Sequence, residues 1–511
     1  MLVYNKDYIH DIDHSMRGMI NETGICRKNT RSKADDGAIR RKSLMLLLVN
    51  LLVGAQAFIT NNNDEYQVWL TTGDGSKKLR REAPCLRTPN GHGHSVWVDR
   101  TKRRQTMEGF GASLTNAAAY VIFHSSNRHL IMRDLFGNSL DDLGVSFLRL
   151  VMGASDFQGV NPYTYDDLPN NHNTDFDLNH FSIDKDRAFV LPIVKEARSI
   201  NPNLRILATP WTAPAWMKTS HNMFGGELNG GGQYLEAYAK YFVRFIQAYQ
   251  AEGIHIDYLS IQNEPLLSRN DYPTMVINVD LMKTFIRDHV GPQFRKGNIN
   301  TKLIVYDHNW SDSWYPEQLL SDSSVKQYVS GVAWHGYDGN HDVPGGFHNK
   351  HPDVGMFFTE ISGGGWDTNF ASTLTWDSRI IFIGQTLNWA KAVGLWNLAL
   401  DENHGPRVGV GGCNDCRGVI TVSNGWYTKN VEYYAMGHLS RFVRPGAVRL
   451  QTNTFGWDEL RSVAFVNTDG STVIVVQNPS TSNSASFSLD LDAKHYQYDN
   501  LPPQSVVTFV K

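Results

Sequence analysis

The sequence predicts an α/β fold, a (β/α)8 barrel with a side β-sandwich that both chain ends build. Three observations predict it. Eight short β-branched or aromatic segments alternate with helical patterns between residues 105 and 398. The final residues alternate in the strand period, with turn residues between the runs. The alternative, a doubly wound sheet, usually has fewer strands, and no Gly-x-Gly-x-x-Gly motif follows the first strand.

The barrel elements follow from hydrophobic periodicity. We predict helices at Gln233–Ala251, where apolar residues recur at three- and four-residue spacing, and at Leu374–Ala392. We assign residues 104–440 to the barrel. Its eight predicted strands are Gln105–Phe110, Val145–Met152, Leu204–Thr209, Ile256–Asn263, Lys302–Asp307, Gly331–His335, Met356–Glu360 and Val393–Leu398.

The β-sandwich is expected from residues 64–103 and 441–511. Because N-terminal strands precede the barrel and the tail follows it, the two ends are expected to share one sheet. The predicted strands are Tyr66–Thr71, Ser95–Val98, Ala447–Gln451, Leu460–Asn467, Thr472–Gln477, Ser484–Leu491 and Ser505–Val510.

Residues 1–57 form an N-terminal extension with a signal-like end. Arg40, Arg41 and Lys42 precede an apolar run that begins at Leu44 and ends near Ala57. The run is shorter than the roughly 20 residues of a membrane span. We therefore predict a secreted protein without a stable membrane span. An uncleaved anchor, or an extension created by an upstream start of the gene, is the alternative.

Composition excludes some partners and leaves others open. The chain of 511 residues carries 48 basic and 51 acidic side chains, a net charge of -3, so no nucleic acid or anionic membrane is expected as partner. Oligomeric state stays open. Asn309, Trp310 and Ser311 form an N-glycosylation sequon, which needs an exposed position.

A cysteine pair and a short acidic loop are the two candidate metal sites in the sequence. Cys413 and Cys416 have a C-x-x-C spacing, without the second ligand pair that zinc needs, so a local disulfide is predicted. Asp401, Glu402 and His404 are interpreted as a solvated loop. No metal and no cofactor is expected.

The residues at the strand ends carry the chemistry, because barrel enzymes place their active sites there. Glu264 and Glu360 follow the fourth and seventh strands and face each other across the barrel mouth. Glycosidic hydrolysis needs one carboxylic acid to protonate the leaving oxygen and a second carboxylate to attack or to activate water. A single strand-end carboxylate is more often solvated or ion-paired. The pair indicates a glycosidase.

Neighbouring residues have expected supporting roles. The adjacent carboxylate should raise the pKa of the acid. His335 and Tyr337 could hold the nucleophile, although His335 could equally be a satisfied histidine of the barrel interior. Asn263 could bond the sugar 2-hydroxyl. Arg149 could be a structural ion-pair partner, and Trp211 and Trp396 could form sugar platforms.

At these residues the chain resembles glycoside hydrolase family 30. The resemblance runs from Val68 to Lys511 in the family's order and includes Met107–Ser113, Leu148–Phe157, Ala208–Lys218, Ser260–Pro265, Phe358–Glu360, Trp396–Leu400 and Tyr433–His438. It implies double displacement through a covalent glycosyl-enzyme, without metal. It also implies that Glu264 is the acid/base and Glu360 the nucleophile. The residues that would line the glucose subsite are Asp156, Trp211, Asn263, Tyr337 and Trp396.

Within this family two substrates compete, a β-1,6-glucan and glucosylceramide. The chain has Gln262 where animal glucosylceramidases typically have glutamate, and it lacks their N-terminal cysteine cluster. The segments Asp401–Pro406 and Gly412–Val419 resemble the glucanase subgroup. An endo-β-1,6-glucanase is therefore favoured over a glucosylceramidase and over an enzyme that cleaves another β-glycan. A glycan-binding protein without catalysis is the non-enzymatic alternative, and the retained glutamates argue against it.

Overall fold

A computed structural model describes residues 65–409, 411–456 and 459–511. The signal-like segment lies outside them. Among the described residues, no helix is long and apolar enough to cross a membrane. Eight parallel strands close into a barrel in which the eighth pairs with the first, Val393 opposite Phe110. The strands are Gly109–Leu114, Phe147–Met152, Arg205–Pro210, Tyr258–Ser260, Lys302–Asn309, Val329–His335, Gly355–Glu360 and Ala390–Asn397.

Packing explains why these segments form a barrel. A layer of inward-facing side chains fills the interior: Phe147, Leu207, Tyr258, Ile304, Ala333, Phe357 and Ala392. Gly111 has to be glycine, since a Cβ there would lie 1.8 Å from the carbonyl oxygen of Phe147 on the next strand. A larger cluster lies between the strands and the surrounding helices. The barrel interior is thus a packed core rather than a channel.

The helices surround the barrel, and the predicted helix Gln233–Ala251 is found at Gly232–Ala251. The others are Asn116–His124, Arg128–Phe136, Asp184–Arg187, Val190–Ile200, Val279–Thr284, Gly291–Lys296, Trp314–Leu320, Ser323–Lys326, Val343–Lys350, Phe370–Trp376 and Val431–Ser440. Two π-helical segments, Phe285–Val290 and Asp377–Gln385, continue neighbouring helices, and 3-10 turns form at Ala215–Met217 and Trp310–Asp312.

Nine strands form the β-sandwich, whose two sheets share the second and third strands. The first strand pairs antiparallel with the last, Val68 opposite Phe509, which confirms that both chain ends build it. Tyr66, Val68, Val507 and Phe509 lie in its core. The strands are Glu65–Thr71, Arg80–Thr88, His94–Thr106, Val448–Thr452, Arg461–Val466, Thr472–Asn478, Ala485–Leu491, Lys494–Leu501 and Ser505–Val510.

Several predicted boundaries are wrong. The first barrel strand begins at Gly109 rather than at Gln105, because residues up to Thr106 continue a sandwich strand, past the expected boundary at 103. The predicted helix Leu374–Ala392 ends at Leu387, and the eighth barrel strand already begins at Ala390. Arg80–Thr88 and Lys494–Leu501 were not predicted as strands. Much of each faces solvent and lacks a clean apolar alternation.

Short strands shape the rim of the barrel mouth. Gly363–Gly364 pairs with Cys416–Arg417. Ala399–Asp401, Ile420–Ser423 and Trp426–Lys429 form a small sheet beyond the eighth barrel strand. These pairings hold the loop that contains Cys413 and Cys416 beside the strand ends.

Candidate active site

The C-terminal ends of the barrel strands surround a pocket of about 760 Å³. Arg149 and His335, both buried, lie behind its wall and contact the carboxylates that line it. The predicted residues that line the pocket itself are Asp156, Trp211, Asn263, Glu264, Tyr337, Glu360 and Trp396. The nine residues selected from strand ends are therefore neighbours in space.

The two glutamates face each other at close range. One carboxylate oxygen of Glu264 and one of Glu360 lie within 4.8 Å of each other and of a ring nitrogen of His335. Retaining glycosidases place their carboxyl groups about 5–5.5 Å apart, and inverting enzymes leave a wider gap for a water molecule. The spacing fits direct attack by a carboxylate on the sugar.

Arg149 and Tyr337 hold Glu360. One terminal nitrogen of Arg149 donates to Glu360 Oε2, and the Tyr337 hydroxyl donates to Glu360 Oε1 at 3.0 Å. The other terminal nitrogen of Arg149 donates to Asn263 Oδ1 at 2.7 Å and to Asp307 Oδ2 at 2.9 Å. Although burial opposes the charge of Arg149, Asp307 and Glu360 raise its pKa. Arg149 is thus the predicted ion-pair partner of a carboxylate, and it has two of them.

His335 bridges two carboxylates instead of holding Glu360. Its Nδ1 lies 3.0 Å from Glu264 Oε1, and its Nε2 lies 3.1 Å from Asp307 Oδ1. The nearest oxygen of Glu360 is 3.9 Å away. Burial disfavours the charged ring, but the charge of Glu360 and the bonds to Asp307 and Glu264 raise the pKa of His335 to about 9. The ring is therefore an imidazolium at neutral pH, with a proton on each nitrogen.

The expectation of a raised pKa for Glu264 is wrong for the unliganded protein. Burial does favour its neutral form, but the hydrogen bond and charge of His335 outweigh burial and lower the pKa of Glu264. Burial raises the pKa of Glu360, and the charges of Glu264 and Asp307 add to this against His335 and Arg149. These shifts favour His335 over Glu264 as the group that holds the acidic proton.

Backbone strain is concentrated at these strand ends. Glu264 has φ +47°, and Tyr306 and Asp307 have φ +78° and +54°, values that bulky side chains rarely adopt. The Glu264 amide donates to the Asp307 carbonyl at 3.0 Å, which joins the two strained segments. Such strain persists only where surrounding contacts fix it, and it is typical of active sites.

The remaining predicted residues form a polar and aromatic pocket floor. Burial and the charge of Glu360 raise the pKa of Asp156 to about 8. Asn263 uses Oδ1 for Arg149, and its Nδ2 makes no hydrogen bond to the residues the structure describes. Trp211 and Trp396 stack on each other at 5.0 Å, with the Arg149 guanidinium 4.7 Å from the Trp211 ring. Sugar hydroxyls would therefore meet Asp156 and Asn263, with the paired indoles beside them.

Cys413 and Cys416 form the predicted disulfide, and both line the pocket. Gly412, next to it, has φ +73°, and a Cβ there would lie 2.8 Å from the Asp156 side chain. The loop therefore approaches Asp156 closely. Cys85, the described cysteine outside this bridge, is buried, and burial raises its thiol pKa to about 12.

Two other sequence features have structural roles. Asp401 Oδ1 accepts hydrogen bonds from the amides of Asn403 and Gly405 at 2.9 and 2.8 Å, so it shapes its own loop. Asn309 of the sequon is half-buried, lines the pocket and accepts a bond from the Tyr337 amide at 3.2 Å. This position is not the exposed one that glycosylation needs.

Sequence reasoning missed Asp307, the buried centre of the network. It bonds Arg149 and His335, and it accepts from the Thr359 hydroxyl at 2.6 Å. Burial opposes its charge, but these partners hold its pKa far below the usual range. Its place at the end of the fifth strand was a usable signal. Trp366 and Trp376, which also line the pocket, lie on loops and helices that strand-end reasoning does not reach.

Comparison with known proteins agrees with this geometry. The Glycosyl hydrolase family 30 TIM-barrel domain matches residues 107–443, and the family's beta sandwich domain matches residues 446–509. "Endo-1,6-beta-D-glucanase neg1" of Aspergillus fumigatus is 34% identical over 84% of this chain and 90% of the relative. "Putative glucosylceramidase 1" of Caenorhabditis elegans is 31% identical over 80% and 82%.

Among solved structures, the endo-beta1,6-glucanase BT3312 superposes with a TM-score of 0.80. The two are 31% identical, and the match covers 87% of this chain and 99% of that one. Both domains, in order, are therefore accounted for by one family. The chain is a glycoside hydrolase, and it belongs to glycoside hydrolase family 30.

Proposed function

We propose that the chain is a retaining endo-β-1,6-glucanase in which Glu360 is the nucleophile and Glu264 the acid/base. The observation that carries the reaction type is the approach of their carboxylate oxygens to within 4.8 Å. The assignment of roles is supported by their partners. Glu360 is fixed by Arg149 and Tyr337, as an attacking group must be, whereas Glu264 is bonded to His335, which carries a transferable proton.

In the first step Glu360 attacks the anomeric carbon and the bond from that carbon to the leaving oxygen breaks. His335 Nδ1 passes its proton to Glu264 along their 3.0 Å contact, and Glu264 transfers this proton to the leaving oxygen, which leaves Glu264 ionised and His335 neutral. His335 keeps its bond to Asp307 in both states, because a neutral ring still donates from Nε2. A covalent glucosyl ester on Glu360 results.

In the second step water attacks the same carbon and the ester bond to Glu360 breaks. Glu264, now ionised, accepts the proton of the water and returns it to His335. Two inversions at one carbon leave the product with the configuration of the substrate. Asp156 and the Nδ2 group of Asn263 are the hydroxyl partners of the sugar in the catalytic subsite.

The preference for a glucan over a glycolipid rests on the relatives and on the pocket rim. The relatives at 33–35% identity carry the name endo-1,6-beta-D-glucanase. Exposed polar and aromatic groups such as Trp366 and Tyr337 surround the pocket, as expected for a neutral polysaccharide. Glucosylceramide is the second candidate substrate, because a relative named as a putative glucosylceramidase is 31% identical to this chain.

We also propose that the protein is secreted. The signal-like segment before residue 58 motivates this, and the Cys413–Cys416 disulfide is typical of oxidising compartments.

Purified protein incubated with pustulan, a β-1,6-glucan, should release short gluco-oligosaccharides. Glu360→Gln should reduce the release at least about 10³-fold because the nucleophile is lost. A folded wild-type protein that cleaves glucosylceramide and leaves pustulan intact would overturn the glucanase assignment.

A further inference from the structure

A second cleft adjoins the catalytic pocket. It has a volume of about 900 Å³ and shares Gly336, Tyr337 and Trp376 with the pocket. Its opposite wall belongs to the β-sandwich, through Pro479, Thr481 and Gln504. A polysaccharide chain that leaves the catalytic pocket over Tyr337 therefore has a continuous path onto the β-sandwich.

An exposed indole lies at the junction of the two clefts. Trp376 ends the helix Phe370–Trp376, and its surface is 42% exposed. Exposing so large an apolar ring to water forgoes burial energy, so an exposed tryptophan inside a cleft suits a ligand that covers it. Sugar rings present C–H faces of matching size to an indole.

Polar groups with unused hydrogen-bonding capacity surround that indole. Among the residues that the structure describes, the side chains of Thr481 and Gln504 make no hydrogen bond, while the backbone amide of Gln504 donates to the Ser480 carbonyl at 2.9 Å. Gln504 has φ +48°, a strained conformation outside glycine. These neutral amides and hydroxyls match sugar hydroxyls and leave a purely apolar ligand poorly paired.

We infer that this cleft is an accessory subsite for glucose units of the polysaccharide outside the catalytic subsite. Trp376 stacks on one sugar ring, and Thr481 and Gln504 bond its hydroxyls. The β-sandwich thus takes part in substrate binding. This inference rests on the proposed function, since it names where the rest of the glucan lies.

The test compares substrates of different length. For β-1,6-linked gluco-oligosaccharides long enough to reach the side domain, Trp376→Ala should lower kcat/KM about tenfold more than for a short aryl β-glucoside. Gln504→Ala, a milder change, should give a smaller difference in the same direction. Trp426→Ala is the matched control, because Trp426 is 60% exposed and lines neither cleft. It should change neither value.

Outcomes separate the two proposals. If wild type leaves every β-1,6-glucan intact, the proposed substrate fails. If wild type cleaves them, and both cleft variants lower kcat/KM equally for long and short substrates or change neither value, the accessory subsite is wrong.

Affinity electrophoresis of Glu360→Gln in gels that contain β-1,6-glucan gives a second measurement. Adding Trp376→Ala to this variant should abolish its retardation by the glucan, and unchanged retardation contradicts the subsite.

Discussion

At the scale of single residues, the least expected property of the site is which group holds the acidic proton. Two carboxylates within 4.8 Å would be expected to share a proton. Instead His335 carries it, because the ring is bonded to Glu264 on one side and to Asp307 on the other. We therefore regard Glu264 and His335 as one acid, with His335 as its positioning residue.

This arrangement predicts the pH profile of kcat/KM. Under the proposed mechanism, activity needs the proton that Glu264 and His335 share, and it needs an ionised Glu360. The alkaline limb should therefore follow the pKa of about 9 of His335, above which the proton is lost. The acidic limb should lie above the usual range of a glutamate, because burial raises the pKa of Glu360. His335→Gln should move the alkaline limb towards neutral pH.

A substrate that needs no acid separates this role from a structural one. A dinitrophenyl β-glucoside has a leaving group that departs without a proton, so His335→Gln should slow it much less than it slows glucan hydrolysis. Equal losses on both substrates, with an unmoved alkaline limb, would show that His335 only maintains the fold.

At the scale of elements, strand periodicity located the strand ends, and the selected residues there line one pocket. Glu264 and Glu360 were identified that way, and their neighbours Asn263 and Tyr337 followed. Asp307 was not identified, although it ends the fifth predicted strand, because its role becomes visible only through its contacts with three other strands. Exposed strands such as Arg80–Thr88 were missed for a related reason, because pairing with strands on both sides rather than their own apolar pattern specifies them.

The loops that surround the mouth are likewise beyond sequence reasoning. The disulfide of Cys413 and Cys416 followed from spacing alone, but its position in the pocket wall did not. Trp376 belongs to a region predicted as one long helix, so its exposure beside the site was invisible before packing was known.

At the scale of the whole molecule, a buried histidine joins the barrel to the sandwich. His438 lies on the helix Val431–Ser440, with its two ring nitrogens 2.8 Å from the hydroxyls of Thr508 and Thr71. Those threonines belong to the last and first sandwich strands. One side chain thus ties the barrel to both chain ends.

Burial lowers the pKa of His438 to about 3, which links this junction to pH. The folded state binds the proton less readily than the unfolded chain, whose histidine has a pKa of about 6.5. Stability is therefore full above about pH 6.5 and falls as pH drops towards the folded value, by about 2 kcal/mol at pH 5. Urea unfolding at pH 7 and pH 5 should show this loss in wild type.

The matching variant isolates the contribution. His438→Gln should be less stable at pH 7, because it loses one of two hydrogen bonds, yet its further loss between pH 7 and pH 5 should be smaller by about 2 kcal/mol. Identical losses in both proteins would show that other groups control the acid sensitivity.

The central claim is that Glu360 attacks the sugar and Glu264 does not. The most direct measurement is to trap the intermediate with a 2-deoxy-2-fluoro-β-glucoside carrying a good leaving group, digest the protein and locate the sugar by mass spectrometry. The account predicts one glucosyl ester, on the peptide that contains Glu360. A sugar attached to Glu264, or turnover with inversion and no covalent intermediate, would contradict it.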